Sequence, residues 1–142
     1  MILKELFGEQ TDVVTLTRDD RISDAAALMQ RDKIGSVVIV DDEQVVGIIT
    51  DRDIALSVAL GAATPDSFVA EVMTKGVATI SETMTLMEAT RFFRDVRVKR
   101  LPVVDSDNRL VGIVSTDDVL AILARELVDT CSVLEPNLGH FV

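Results

Sequence analysis

The chain has 142 residues, 48% hydrophobic and 27% charged, which excludes a disordered or fibrous polymer and leaves room for one domain or two very small ones. Fourteen basic residues against 24 acidic ones give a net charge of −10, a balance that disfavours a broad nucleic-acid or anionic-membrane footprint. One cysteine, Cys131, and one histidine, His140, exclude a disulfide framework, multi-cysteine metal sites and most histidine-based catalysis.

In chain order, Met1-Ile2-Leu3-Lys4-Glu5 carries neither the apolar stretch nor the cleavage site of a signal peptide. The longest apolar runs, such as Val37-Val38-Ile39-Val40, are strand-sized and too short to span a bilayer, so a cytoplasmic protein is expected. An extended piece at 13–15 leads into a helical pattern at 22–30, which gathers Ile22, Ala25, Ala26, Leu28 and Met29 on one side. A β-branched strand at 36–41, the polar turn Asp41-Asp42-Glu43-Gln44 and a second strand at 45–49 read as a hairpin. A helix over 51–60 follows, and the stretch 62–66 with Pro65 interrupts the pattern. The same order then returns: an extended piece at 77–79, a helix at 86–94, strands at 101–105 and 110–114, and a helix at 116–128. Pro136 and Gly139 predict that this last helix ends before them. Cys131 reads as a small packing residue and His140 as a tail residue.

The return is a true internal repeat at a spacing of 64 to 65 residues. Thr15-Leu16-Thr17 answers to Thr79-Ile80-Ser81, and Val45-Val46-Gly47-Ile48-Ile49-Thr50 to Leu110-Val111-Gly112-Ile113-Val114-Ser115. The expected organisation is repeat one at 10–62, a linker at 63–71, repeat two at 72–130 and a tail at 131–142. Each copy leaves strand and helix faces that the other can cover. The expected fold class is therefore α/β (α+β): two pseudo-symmetric repeats, each a small sheet with packed helices, in one compact unit.

The clearest chemical signal is Gly47-Ile48-Ile49-Thr50-Asp51-Arg52-Asp53 with its copy Gly112-Ile113-Val114-Ser115-Thr116-Asp117-Asp118. One reading is structural: Thr50 or Ser115 caps a helix whose first turn holds Asp53 or Asp118. The other uses the same atoms as a recognition site, the carboxylate accepting the two vicinal hydroxyls of a ribose at a helix N-terminus. Glycine at 47 and 112 would let a flat base or a neighbouring backbone approach closely. The two readings are compatible.

The sequence resembles a tandem pair of cystathionine-β-synthase (CBS) domains, a Bateman module. The resemblance rests on Arg100-Leu101-Pro102-Val103-Val104-Asp105 and 110–118 in the second copy. In the first it rests on Ile34-Gly35-Ser36-Val37-Val38-Ile39-Val40-Asp41 and 46–53, and Glu71-Val72-Met73-Thr74 adds the entry into a repeat. The first copy's own entry, Leu6-Phe7-Gly8-Glu9, is a poor version of it. The resemblance implies a regulatory sensor with two clefts between the repeats, each serving an adenine nucleotide or related adenosyl compound. Carried over, cleft one combines Thr50, Arg52 and Asp53 with Ala78, Val98, Lys99 and Arg100. Cleft two, the weaker, combines Ser115, Asp117 and Asp118 with Val14, Ile34 and Gly35.

Charge separates the two clefts. Arg91, Arg94, Arg97, Lys99 and Arg100 crowd one decade, and Lys99, Arg100 and Arg52 converge on cleft one, where phosphate oxygens want such donors. Cleft two has Asp117 where cleft one has Arg52. No internal histidine, activated cysteine or Gly-Lys-Ser/Thr loop points to catalysis, so no enzyme is expected. No cofactor is required. The candidate ligands are AMP, ADP, ATP and S-adenosylmethionine, with magnesium as companion of a phosphate and NAD-like compounds served by the same carboxylate. The partners implied are that small molecule, a second copy in a homodimer and an unidentified effector protein, with no nucleic acid and no membrane. The alternative is a ligand-free structural or protein-interaction module. Met29, Leu56, Leu60, Phe92, Phe93 and Leu120 are the candidates for core or dimer packing.

Overall fold

The structure, a computed structural model, describes residues 1–7 and 13–138, with side chains for 1–6 and 13–134. Gly8 and Glu9 of the first entry motif, and Gly139 and His140 of the tail, lie outside the described residues.

Two three-stranded sheets with their helices repeat one plan. In the first repeat, β1 (Thr15–Leu16) pairs parallel with β2 (Ser36–Asp41), and β2 pairs antiparallel with β3 (Gln44–Thr50). Helix α2 (Ile22–Asp32) crosses between β1 and β2, and α3 (Asp51–Ala59) follows β3 directly. The second repeat reproduces this with β4 (Ile80–Ser81), α4 (Leu86–Val96), β5 (Arg100–Val104), β6 (Leu110–Ser115) and α5 (Thr116–Leu138). A five-residue helix, Leu3–Phe7, precedes everything and is called α1. The α+β class and the two pseudo-symmetric repeats are as expected from the sequence.

Local chemistry sets these boundaries. Helices α2 and α4 stop at the same place in each repeat, on Lys33 (φ 54°) and Arg97 (φ 55°), whose N–H groups donate to the carbonyls of Met29 and Phe93. The β2–β3 turn is two residues long with both in the left-handed region, Asp42 at φ 49° and Glu43 at φ 66°, the twist that suits a tight hairpin. The β5–β6 turn is longer, five residues from Asp105 to Arg109. It is organised by Asp105, whose Oδ1 accepts the N–H groups of Asp107 and Arg109 at 2.9 Å each.

Each repeat has its own core, and each core is closed by a segment from outside the repeat. In the first, Leu16, Ala25, Met29, Val37, Ile39 and Ile49 pack with Val69 and Met73 of the connecting stretch. In the second, Ile80, Leu86, Ala89, Phe93, Leu101, Val103, Val114 and Val119 pack with Leu3 of α1, which is fully buried. The backbone follows the side chains. Leu3 N–H donates to Met84 O and Lys4 N–H to Glu82 O, while Ile22 N–H donates to Ser67 O and Val69 N–H to Asp20 O. Between the repeats, Gln44 receives Asn108 Nδ2 and donates to Asp107 O at 3.2 Å each, and Leu110 N–H donates to Glu43 O.

Several details differ from the sequence reading. The first strands sit at Thr15–Leu16 and Ile80–Ser81, one to three residues later than the extended pieces expected, because pairing with β2 and β5 defines them. Ala26 is exposed although it shares the helical period of the buried face; the apolar side of α2 is the narrower set Ile22, Ala25 and Met29. Of the packing candidates, Met29 and Phe93 are buried and Phe92 half-buried, whereas Leu56, Leu60 and Leu120 are exposed. Pro136 does not end α5. Its ring forfeits one hydrogen bond inside the last turn, and the helix closes two residues further on.

Candidate functional site

The two motif copies fold into the same local device. The Thr50 N–H donates to Asp53 Oδ2 at 3.0 Å, and the Asp53 N–H donates back to Thr50 Oγ1 at 3.1 Å. In the second copy the Ser115 N–H donates to Asp118 Oδ2 at 2.8 Å and the Asp118 N–H to Ser115 Oγ at 3.0 Å. Both are closed capping boxes, each satisfying two helix-end donors. Each box uses one carboxylate oxygen; Oδ1 of Asp53 and of Asp118 accepts no hydrogen bond among the described residues.

Register then joins the motif to the far end of its own hairpin. Because β2 runs antiparallel to β3, Ser36 lies opposite Thr50, and the Asp51 N–H donates to Gly35 O at 3.0 Å. The second repeat repeats the arrangement with Arg100 opposite Ser115 and the Thr116 N–H donating to Lys99 O at 2.9 Å. A side chain at Gly35 would meet the Asp51 carboxylate at 3.2 Å.

These ends face a cavity of about 650 Å³, within the range that holds small-molecule ligands. The first repeat contributes Gly35, Ser36, Ile48, Thr50, Asp51 and Arg52. The second contributes Val96, Val98, Lys99, Arg100 and Leu101, and the stretch before β4 adds Thr74, Gly76, Val77 and Ala78. That stretch is tied to the opposite repeat, since Ile48 and Thr74 exchange both backbone hydrogen bonds at 2.9 and 3.1 Å. Gly76 (φ 64°) takes the left-handed turn that leads the chain into the wall. Gly47 lies behind the wall, where an added Cβ would stand 2.5 Å from Met73 Sδ and 3.0 Å from Thr74 O. Its lack of a side chain serves the approach of a neighbouring side chain and backbone.

Of the residues read into cleft one, Thr50, Arg52, Ala78, Val98, Lys99 and Arg100 all line this cavity. Asp53 does not; it stands half-buried one step behind, its carboxylate engaged in the cap. The residues read into cleft two lie on both repeats. Gly35 lines the first cavity, Val14 and Ile34 are half-buried against the core of repeat one, Ser115 and Asp118 form their own cap, and Asp117 is exposed. Sequence reasoning missed Asp51 and Ser36 as wall residues. The signal was present in the strand order, because an antiparallel hairpin places the start of its first strand beside the end of its second.

The electrostatics of the wall are one-sided. Arg52, Lys99 and Arg100 are exposed and form no ion pair among the described residues, and Asp51 is the one carboxylate among the lining side chains. The same lining includes Ile48, Val77, Ala78 and Val98, apolar surface suited to a flat ring. Among the described residues no group of three or more metal-ligating side chains is found, and no helix is long and apolar enough to cross a membrane.

Two α+β repeats of one plan, each closed by a segment from outside itself and facing a shared cleft, define a pseudo-symmetric tandem-repeat module. The sequence profile of the CBS domain matches residues 3–59 and again 69–125. The chain belongs to the CBS domain family. It is 36% identical over 113 residues to the uncharacterized protein MK0525 of Methanopyrus kandleri, covering 78% of this chain and 58% of that protein. It is 39% identical over 110 residues to the inosine-5'-monophosphate dehydrogenase of Methanocaldococcus jannaschii, covering 77% of this chain but 21% of the dehydrogenase. Among solved structures, the NE2398 CBS domain superposes with a TM-score of 0.77 at 30% identity, covering 87% of this chain and 98% of that one. The MJ0100 CBS domain pair, in complex with 5'-methylthioadenosine and S-adenosyl-L-methionine, superposes with a TM-score of 0.77 at 27% identity, over 89% and 98% of the chains. The cytosolic domain of the Mg2+ channel MgtE in complex with ATP gives 0.67 at 28% identity, over 78% and 44%.

Proposed function

We propose that this chain is a cytoplasmic regulatory module that senses an adenine nucleotide or other adenosyl compound in the inter-repeat cavity. The observation that carries the reading is the wall itself, where three cations free of ion pairs among the described residues share one cavity with apolar side chains. The base would lie against Ile48, Val77, Ala78 and Val98, and Arg52, Lys99 and Arg100 would take a phosphate. Asp53 would reach the ribose hydroxyls through Oδ1 while Oδ2 keeps the cap. The adenosyl complexes of MJ0100 and the ATP complex of MgtE support the ligand class. AMP, ADP and ATP suit the cationic wall better than S-adenosylmethionine, which brings its own positive charge. No resident cofactor is part of this reading, and magnesium enters only as companion of a polyphosphate.

The energy for signalling comes from tying two repeats together across the cavity, because a ligand shifts an equilibrium only by its differential affinity for the two states. The output then passes to an effector protein or through a second copy of the chain. A second reading, a ligand-free interaction module, is favoured by one observation: both aspartates already serve their own helix ends.

Calorimetry on nucleotide-stripped protein decides between them, using AMP, ADP, ATP, S-adenosylmethionine, NAD and adenosine against wild type and Arg52→Ala. The expected result is AMP binding weakened about tenfold or more in the variant with adenosine unchanged, the scale of one charge-assisted hydrogen bond. Equal loss for adenosine refutes the phosphate role of Arg52. No binding of any compound to wild type refutes the sensor reading and leaves the interaction module.

A further inference from the structure

At about 650 Å³ the inter-repeat cavity is of a size for ligands up to a nucleoside triphosphate, so volume does not choose among phosphate chain lengths. Charge can. Arg52, Lys99 and Arg100 bring three positive side chains to the lining and Asp51 brings the one negative, which leaves the wall two charges positive. A phosphate monoester carries about −2 at neutral pH, and each further phosphate adds about one more negative charge. The wall therefore balances a monophosphate and falls short of a triphosphate. The net charge of −10 on the chain as a whole repels the surplus.

The fold does not need Asp51 to start α3. The box of Thr50 and Asp53 already closes that helix end, and α5 begins with the same box and Thr116 in the corresponding place. The Asp51 N–H donates to Gly35 O just as the Thr116 N–H donates to Lys99 O. Beyond this shared bond, Asp51 Oδ1 accepts the Arg52 N–H at 2.8 Å, whereas no side chain accepts the corresponding Asp117 N–H among the described residues. Its Oδ2 lies over Gly35, where an added Cβ would meet it at 3.2 Å; the second repeat has Lys99 at that position. A backbone donor that a helix start would otherwise turn toward an anion is thus taken by the protein's own carboxylate, in a cavity lined with cations.

We propose that Asp51 is a specificity-determining residue, whose charge makes the cavity select a nucleoside monophosphate over the triphosphate. The proposal rests on the adenosyl-sensor reading of this cavity and names the ligand within it. Repulsion from one fixed carboxylate grows in proportion to ligand charge, so a triphosphate at about −4 meets about twice the penalty of a monophosphate at about −2. Adenosine, which is uncharged, meets none.

Calorimetry with adenosine, AMP and ATP in magnesium-free buffer of low ionic strength tests it on wild type, Asp51→Asn and Asp129→Asn. Asparagine keeps an oxygen for the Arg52 N–H and removes only the charge. Asp129, on α5 and outside the cavity lining, gives the same change in net charge elsewhere. Wild type is expected to hold AMP tighter than ATP. Asp51→Asn should gain about threefold for AMP and about tenfold for ATP with adenosine unchanged, the scale of one partly screened charge at an exposed site. Asp129→Asn should match wild type for all three. If Asp51→Asn fails to fold, Asp51→Thr removes the same charge with the residue type that the second repeat carries there, and the same gains are expected. A wild type that prefers ATP, an unchanged ratio of ATP to AMP affinity on removal of the Asp51 charge, or equal gains in Asp129→Asn overturns the role of Asp51 and leaves the sensor reading standing. No binding of any of the three compounds to wild type overturns both.

Discussion

The twin capping boxes supply a control for ligand binding that a single site would lack. Asp53→Ala removes a helix-end carboxylate and, on the proposed reading, a ribose acceptor; Asp118→Ala removes only the first. Loss of such a cap costs about 1 kcal/mol. For a chain of 142 residues the unfolding entropy is about 0.3 kcal/mol/K, so each ligand-free variant should melt about 3 °C below wild type. AMP at a hundred times its dissociation constant adds about 2.7 kcal/mol to wild type, a rise of about 9 °C. Asp118→Ala should keep that whole rise above its own lowered baseline. Asp53→Ala forfeits hydrogen bonds to a charged group, about 1.5–3 kcal/mol, and at the same AMP concentration should retain a rise of only about 1–5 °C. The assay is thermal unfolding of the three proteins over an AMP titration. Equal ligand-induced rises in all three would refute the ribose role and leave Asp53 a cap alone. Loss of the rise in both variants would show that helix-end integrity, and not a ribose contact, governs binding.

Other features are testable by stability. Gly47→Ala drives a methyl against Met73 Sδ and Thr74 O and should cost about 1–3 kcal/mol in urea unfolding; combined with Met73→Ala the two losses should fall short of their sum, whereas additivity would refute the contact. Leu3→Ala should cost about 2–5 kcal/mol although it lies outside the second repeat's sequence, and a change below about 0.5 kcal/mol would refute its place in that core. The Glu88 carboxyl is held below the usual glutamate range, first by the Thr85 backbone N–H and then by the Thr85 hydroxyl. Its contribution is present above the unfolded pKa and is lost as the pH falls through the depressed folded value. A carbon-13 titration should show the lowered midpoint, returning part of the way in Thr85→Ala.

What the sequence revealed follows from what each residue's role depends on. The repeat, the hairpins and the two caps depend on neighbours within a few positions, so Thr50 with Asp53 and the run of β-branched residues announce them directly. Six of the seven residues read into the first cleft line one cavity because the resemblance supplied a pairing across the repeats. Asp51 and Ser36 were missed because their place depends on strand register. Gly35, read into the other cleft, lines this cavity through the same register. Leu3 is invisible as a core residue in the string Met1-Ile2-Leu3-Lys4-Glu5, since what buries it comes from about 80 positions later. Pro136 misled for the opposite reason, a strong local rule applied one turn from a helix end where its cost is small.

The closing of each core by a segment from elsewhere in the chain bears on how the protein is inherited and cut. Repeat two borrows Leu3 from the start of the first family match, and repeat one borrows Val69 and Met73 from the start of the second. Excised at the seam, a second repeat loses its lid altogether, and the surface that Leu3 covers would be filled only by the same segment of another molecule. A fragment of this protein is therefore an exchanger of segments by construction, prone to domain swapping. An ancestor with a single repeat would have met the same demand by closing each core with its partner's strand of chain, and duplication made that exchange intramolecular.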